Sequence, residues 1–596
     1  MQEIWTVFNK AADFHALAEQ LKVDPVLVRI MRNRDLTTYE QMAQYLGMGT
    51  KEATEDHLLK DMQKAVDILR EKLCEGARIR IISDYDVDGI CSNYVLYTCL
   101  QELLRGLGKD ASQVDYVIPH RIRDGYGLNA ELIKNAQEEG VDTILTCDNG
   151  IAAVEEIALA KKLQMTVIVT DHHEAQQELP DADAIVDPKQ PGCGYPFVEI
   201  CGAVVAFKVM KQLYVAMGRE AQELDWLYPY LAMATVCDVM VLQKENRDIV
   251  KRGISMLQKK VRERTLEPGL LALIEVNQLE PERINAYSFG FTLGPCLNAM
   301  GRLSSAKWGL KLLLETDEKK AEHRAQQLKR MNELRQEMSK KNETLAIHIA
   351  DSELYRQDAV LVLHLPDCHE SIAGIVAGRV REHTGKPTLL LTNTKEKGIV
   401  KGSGRSIPEY DMFAALMENK DCFLKVGGHK MAAGFTLEEA KLPLLRKRLN
   451  ESANLSEEDL ARKYVIDLKM PVEYIGEAFV KQLSLLEPTG NGNSRALFAE
   501  KHMTLTTVKV VGKRQNVLRL NLLTPTGKHV NAVYFGAEPF ALFETFPEPV
   551  VRRIKEAEAS GRRLMLPVSI LYQPTLNEYM GNVSVELKLI SAKYEE

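Results

Sequence analysis

Between residues 78 and 170, short apolar runs alternate with amphipathic segments, and three of those runs end directly in acidic or imidazole residues. RIRIIS (78–83) leads into Asp84-Tyr-Asp86-Val-Asp88-Gly89, DTILTC (142–147) into Asp148-Asn149-Gly150, and MTVIVT (165–170) into Asp171-His172-His173. DYVIP (115–119) and AIVDP (184–188) extend the series, with helical segments at 92–106, 129–139 and 152–163 between the runs. Apolar strands alternating with helices imply an α/β fold with a parallel sheet covered on both faces. In such a sheet every carboxyl-terminal strand end lies on one edge, where ligands bind. The three clusters are therefore expected to converge.

A single Asp at a strand-to-helix turn is usually only a helix cap. Six or more acids and two imidazoles on one edge would repel one another and shift their pKa values unless cations neutralise them. Oxygen and imidazole donors without thiolate suit Mn2+ or Mg2+ better than a structural zinc. A pair of such ions can clamp a phosphodiester and activate water against it. Cys147 and Cys237 stand beside Asp148 and Asp238 but have no local acid-base partner, so they are read as packing residues.

The 596 residues allow roughly three to five domains. Residues 1–60 read as a leading element of short helices, 61–314 as the catalytic α/β domain, and 315–352 as a connecting helix. A coiled coil competes for that last segment, but its apolar spacing does not hold for enough heptads. AVLVLHL, PTLLLTN and GGHKMAAG (427–434) place a smaller α/β domain at 353–455. Read by itself, GGHKMAAG is either a tight turn opening a helix or a stretch whose Gly427 and Gly428 let backbone amides approach an anion. From 460 to 596 the pattern is alternating β, with TPTG (524–527) as a hairpin turn, and fits an OB-like barrel. Of its adjacent Tyr534 and Phe535, at most one can stack bases on the barrel surface, and core packing is the expected role of both.

The net charge of -7 argues against binding nucleic acid through a bulk positive field, so any such contact must be local. A small anionic substrate is the other reading. The ten cysteines form no C-x-x-C pair, and the segment MQEIWTVFNKAADFHALAEQL lacks a basic stretch followed by an apolar one. Reduced thiols, no membrane span and a cytoplasmic location are expected.

The blocks DYDVDG (84–89), PHRIRDGYGLN (119–129), CDNGI (147–151), DHH (171–173), CGAVVAFK (201–208), ATVCDVM (234–240), GPCLNAMGRL (294–303), GSGRSI (402–407) and GGHKMAAG occur in the order that resembles the RecJ family of the DHH phosphoesterase superfamily. The resemblance implies a bilobal core: a DHH domain holding two Mn2+ or Mg2+ ions, a long connecting helix and a DHH-associated domain, followed by the OB-like barrel. It implies 5'-to-3' exonuclease action on single-stranded DNA, releasing mononucleotides in recombination and repair, by a monomer, with a single-strand-binding protein and a helicase as partners.

By position, Asp84, Asp86, Asp88, Asp148, His172 and Asp238 resemble the family's metal ligands, Asp148 being also counted among the catalytic residues. His173 resembles its charge stabiliser or proton donor near the scissile phosphate, and Asp171 the residue that orients its neighbours. Arg121, Asn298 and Arg302 match positions near substrate phosphates; Ser403, Arg405, Gly427, Gly428 and His429 match the phosphate grip of the associated domain. Cys368 before His369-Glu370 and His120 in the second block depart from the family pattern, which bears on DNA grip more than on metal binding. The alternatives are a DHH phosphodiesterase acting on short oligoribonucleotides or cyclic dinucleotides, and a non-catalytic scaffold that binds single strands.

Overall fold

The computed structural model describes residues 2–48, 55–121, 124–125, 127–512, 515–536, 538–579 and 581–596. Ile122, Arg123 and Tyr126 of the second sequence block lie outside the described residues. The chain divides into two compact units, one of residues 52–340 and 488–494, the other of 1–51, 341–487 and 495–596.

The first unit is built on a five-stranded sheet in the order Val114–Val117, Ile79–Ser83, Thr143–Cys147, Thr166–Thr170, Ala184–Val186. All four pairings are parallel, with Ile81 opposite Leu145 and Leu145 opposite Ile168. Successive side chains alternate between two cores. Ile79, Ile81, Leu145 and Ile168 join one large cluster under helices Val87–Gly106 and Gly202–Ala216, while Ile82, Ile144, Val167 and Val169 join a second on the opposite face. The chain leaves Ile79–Ser83 toward one edge and returns toward the other at Thr143–Cys147. A crevice opens at such a switch point, beyond the strands' carboxyl ends.

In the second unit a mixed sheet runs Phe423–His429, Ala432–Glu438, Ile399–Arg405, Thr388–Asn393, Leu361–His364. GGHKMAAG is a β-hairpin here, not a turn opening a helix, with Gly427 opposite Gly434 and His429 opposite Ala432. The barrel closes as a ring of five strands, Phe498–Val511, Val517–Leu523, His529–Phe535, Asn582–Tyr594 and Leu566–Tyr579, the last pairing back to the first. TPTG turns the chain between the second and third, where Gly527 N donates to Thr524 O at 2.8 Å. Tyr534 packs against the barrel core, whereas Phe535 is 54% exposed with Lys588 Nζ 5.8 Å from its ring, so core packing describes only the first of the two.

The leading residues are helical at Phe14–Leu21, Pro25–Asn33 and Tyr39–Leu46, but Glu3–Val7 is a strand paired in parallel with Arg462–Ile466. Leu27, Ile30 and Met42 enter the same core as Phe498 and Leu520 of the barrel. The charged segment after residue 315 is one helix, Glu318–Ala350. No helix among the described residues is long and apolar enough to cross a membrane.

Candidate metal centre

Each acid reaches the rim by its own local device. Asp84 follows its strand, is 4% exposed, and leaves Oδ1 without a hydrogen-bond partner. Asp86 caps helix Val87–Gly106, its Oδ1 accepting from the Asp88 and Gly89 amides at 2.9 and 3.1 Å. Gly89 is required there, because a Cβ would sit 2.4 Å from the Asp84 carbonyl oxygen. Asp88, one residue into the helix, accepts from Gly202 N at 2.6 Å and Ala203 N at 2.8 Å, buried first-turn amides of helix Gly202–Ala216 that have no partner within the helix.

Asp148 sits at φ 59°, a conformation costly for a residue with a Cβ and characteristic of functional sites. Asn149 secures the turn by donating to Ile82 O and Cys147 O, the ends of the two central strands. Asp171 is fully engaged: Oδ1 accepts from His172 N at 2.7 Å and lies 2.7 Å from His173 Nδ1, and Oδ2 accepts from Ile151 N at 2.9 Å. Asp238 ends helix Tyr228–Cys237, and the next residue, Val239, is at φ 58°, strained for a β-branched side chain.

His172 is the hub. Its Nε2 lies 3.1 Å from Asp148 Oδ1 and 3.6 Å from both Asp88 Oδ2 and Asp238 Oδ2, while its Nδ1 has no hydrogen-bond partner. One imidazole proton cannot serve three carboxylates. Among the described residues, three donor sets have their ligand atoms within 4.8 Å of one another: Asp148, His172 and His173; Asp88, His172 and Asp238; and Asp84, Asp86 and Asp148. Asp148 and His172 are each shared between sets, an arrangement that fits more than one cation. Orphaned buried oxygens on Asp84 and Asp238 point to the same need.

The electrostatics agree. Burial, then the charge of Asp86, holds Asp84 well above the usual carboxylate range; burial, then Asp88, raises Asp86; burial, then Asp88, Asp86 and Asp84, does the same to Asp148. Asp238 is pushed up to about 8 by burial and then by Asp88 and Asp86. Burial lowers His172. For His173 burial also acts downward, but the bond and charge of Asp171 outweigh it and raise the imidazole to about 9. Asp171 is itself lowered, because His173, His172 and the Ile151 amide overcome its burial.

The substrate-facing candidates fall in both units. In the first, the Arg121 guanidinium lies 4.8 Å from the Tyr85 ring, within the Asp84–Asp86 loop. Asn298 and Arg302 share one face of helix Gly294–Leu303, and that helix meets the same loop where a Cβ at Gly301 would be 3.0 Å from Tyr85 O. In the second unit, Arg405, Ala432 and His429 form one row across three strands, and Ser403, Gly434 and Gly427 the row two residues away, so all face one side of the sheet. Arg405 Nη1 donates to Ser403 Oγ at 3.0 Å. Nothing lies within 4 Å of a Cβ built at Gly427 or Gly434, which leaves the backbone of this face open, whereas a Cβ at Gly428 would lie 2.4 Å from Ala432 O.

Sequence reasoning passed over Asp187. It follows the edge strand Ala184–Val186, is fully buried, has Oδ2 unpartnered, and is raised to about 7 by burial and by the charge of Asp171. The signal was present in AIVDP, a strand running into an acid like the other three. Cys147, fully buried, has its thiol pushed well up by burial, as a packing residue would.

Comparison with known proteins adds the family. Residues 78–235 match the DHH family, N-terminal domain, 357–454 the DHHA1 domain, and 466–591 the RecJ OB domain. The chain is 35% identical over 509 residues to the single-stranded-DNA-specific exonuclease RecJ of Bacillus subtilis, a match covering 85% of this chain and 62% of that protein's length. Against the Escherichia coli protein of the same description, identity is 30% over 587 residues, covering 95% of each. A crystal structure of RecJ in complex with Mn2+ from Thermus thermophilus superposes with a TM-score of 0.79 at 25% identity, covering all of this chain and 80% of that one. The chain belongs to the RecJ family of single-stranded-DNA-specific exonucleases.

Proposed function

We propose that this chain is a metal-dependent exodeoxyribonuclease that hydrolyses single-stranded DNA. The observation that carries this is the sharing of Asp148 and His172 between overlapping donor sets on the rim of the parallel sheet. Asp84, Asp86, Asp88, Asp148, His172 and Asp238 are the residues proposed to hold two ions, Mn2+ or Mg2+. When bound, such ions supply positive charge for the phosphoryl oxygens and acidify water.

The chain's own groups supply the remainder. Asp171 fixes the His173 ring through Nδ1, so Nε2 is the nitrogen that presents a proton or positive charge to the leaving oxygen. Asp88 is doubly bonded to helix amides and acts first as a rigid wall of the site, whereas Asp84 keeps Oδ1 available for a cation. Arg121, Asn298 and Arg302 are proposed to hold phosphates beside the metal residues. Ser403, Arg405, Gly427, Gly428 and His429 are proposed to grip a terminal phosphate, the bidentate Arg fork being suited to it.

The boundaries 1–60, 61–314, 315–352, 353–455 and 460–596 are proposed as the functional divisions. Following the family resemblance, we assign 5'-to-3' polarity, mononucleotide products, a role in recombination and repair, a cytoplasmic location, a monomeric state, and a single-strand-binding protein and a helicase as partners. Incubation with Mn2+ and three substrates, a long end-labelled single strand, its duplex and a dinucleotide, tests the assignment. Loss of label from the single strand alone is expected; cleavage of only the dinucleotide would overturn it.

A further inference from the structure

Tyr287 and Phe291 are 65% and 63% exposed, yet their rings stack on each other with centroids 4.5 Å apart at 17°. They are not loose. Asn285 and Ser288 cap each other reciprocally, Ala286, Ser288, Phe289 and Leu293 are buried around the pair, and Phe289–Leu293 forms a π-helical turn, a local geometry frequent at functional sites. Two large aromatic faces held rigidly in water are costly unless something covers them.

Their position says what. The π turn rests on the end of helix Tyr228–Cys237: Cys237 Sγ donates to Phe289 O at 3.4 Å, and a Cβ at Gly294 would meet Cys237 Sγ at 2.3 Å. The next residue is Asp238 of the metal cluster, followed by Val239, itself 64% exposed. On its other side the π turn continues without a break into helix Gly294–Leu303, which carries Asn298 and Arg302. The aromatic pair is therefore continuous with both the cation cage and the phosphate-facing helix.

We propose that Tyr287 and Phe291 form a stacking platform for an unpaired nucleobase of the DNA strand whose backbone is cut. This rests on the nuclease reading and deepens it. Within a duplex both π-faces of a base are covered by its stacked neighbours, whereas a base of a flexible single strand can swing out onto the rings; stacking is indifferent to its identity, so the platform favours single strands without reading sequence. Extending an existing two-ring stack by a third ring needs no rearrangement of the protein. The pair thus contributes to preference for single strands through the base, independently of the phosphate contacts.

The test uses the full chain and short 5'-phosphorylated single strands carrying 2-aminopurine at successive positions, whose fluorescence falls on stacking, titrated in EDTA. Quenching at one or two positions near the 5' end is expected with the natural protein and lost in Phe291→Ala and Tyr287→Ala. In Mn2+ both variants are expected to show KM raised roughly 5- to 100-fold, with kcat within about twofold, and Phe291→Trp to restore binding. Both side chains being largely exposed, the alanine variants keep the core intact. On a strand made abasic at the quenched positions, the natural protein and the variants should bind alike. Equal losses on intact and abasic strands, or variants that quench and turn over like the natural protein, would overturn the platform while leaving the nuclease reading in place. A natural protein that neither binds nor cuts single strands would overturn the nuclease reading and the platform with it.

Discussion

Asp171 Oδ1 stands 2.7 Å from His173 Nδ1, and the same oxygen accepts from the His172 amide. One buried carboxylate thus sets the backbone of the first histidine and the ring of the second.

Asp171→Asn should leave the fold intact and depress kcat by roughly 10²- to 10⁴-fold, the usual worth of a positioned acid-base group. The pH profile separates this from general damage. Asp171 is what holds the His173 proton to high pH, up to about 9 in the metal-free chain, so its loss should pull the alkaline limb of the rate profile to lower pH. In the variant the fall should move toward the ordinary histidine pKa of about 6.5. An unmoved alkaline limb would contradict the pairing.

The metal-free protein should become less stable as pH rises. Asp238 is raised to about 8, and Asp84 and Asp148 are raised with it, above their unfolded values. The folded chain therefore keeps protons that the unfolded chain releases, and the stability present below about pH 4 is lost progressively as pH climbs through 8. His173, also raised, adds a loss of the same sign near 9. Melting temperatures in EDTA at pH 5.5, 7 and 8.5 should decline by several degrees, and saturating Mn2+ should remove the decline. A flat or rising series in EDTA would be inconsistent with the crowded cage.

Gly202→Ala should injure the metal centre without replacing a ligand, by pressing on Asp148. The new Cβ would lie 2.8 Å from Asp148 Cβ, on the residue whose amide also holds Asp88. Mn2+ affinity should fall by about 10- to 100-fold, as when supporting groups around a metal are lost, measured by calorimetric titration. Gly427→Ala is the matched control, since its Cβ meets nothing within 4 Å.

Arg405→Ala should weaken capture of a 5'-phosphorylated end more than binding to the interior of a strand. Arg405 and Ser403 share a sheet face with the open backbone of Gly427 and Gly434. Competition between phosphorylated and unphosphorylated ends reads this directly. An equal loss for both ends would remove Arg405 from the phosphate grip.

The parallel sheet was legible because its strands are apolar on both faces and stop abruptly at acids, so period, sign and position agree in RIRIIS-Asp84 and TILTC-Asp148. Glu3–Val7 was not, because its partner Arg462–Ile466 lies near the other end of the chain and a local window holds no trace of the pairing. GGHKMAAG misled for a related reason: its glycines suit a turn, but two of them face open space across a hairpin and one makes a close backbone approach. The role of Asp88 depends on amides 114 residues further along, and that of Asp187 on a strand of only three residues. Helix Glu548–Ser560, set among the barrel strands, went unread under the alternating pattern on either side of it.

The central claim is that the rim binds divalent cations through Asp148 and His172 together. Anomalous diffraction from crystals soaked in Mn2+ tests it, with His172→Ala alongside. The account requires two peaks among Asp84, Asp148, His172 and Asp238 in the natural chain, and loss of at least one in the variant together with loss of hydrolysis. An empty rim under saturating Mn2+, or two undisturbed peaks and full turnover without His172, would contradict it.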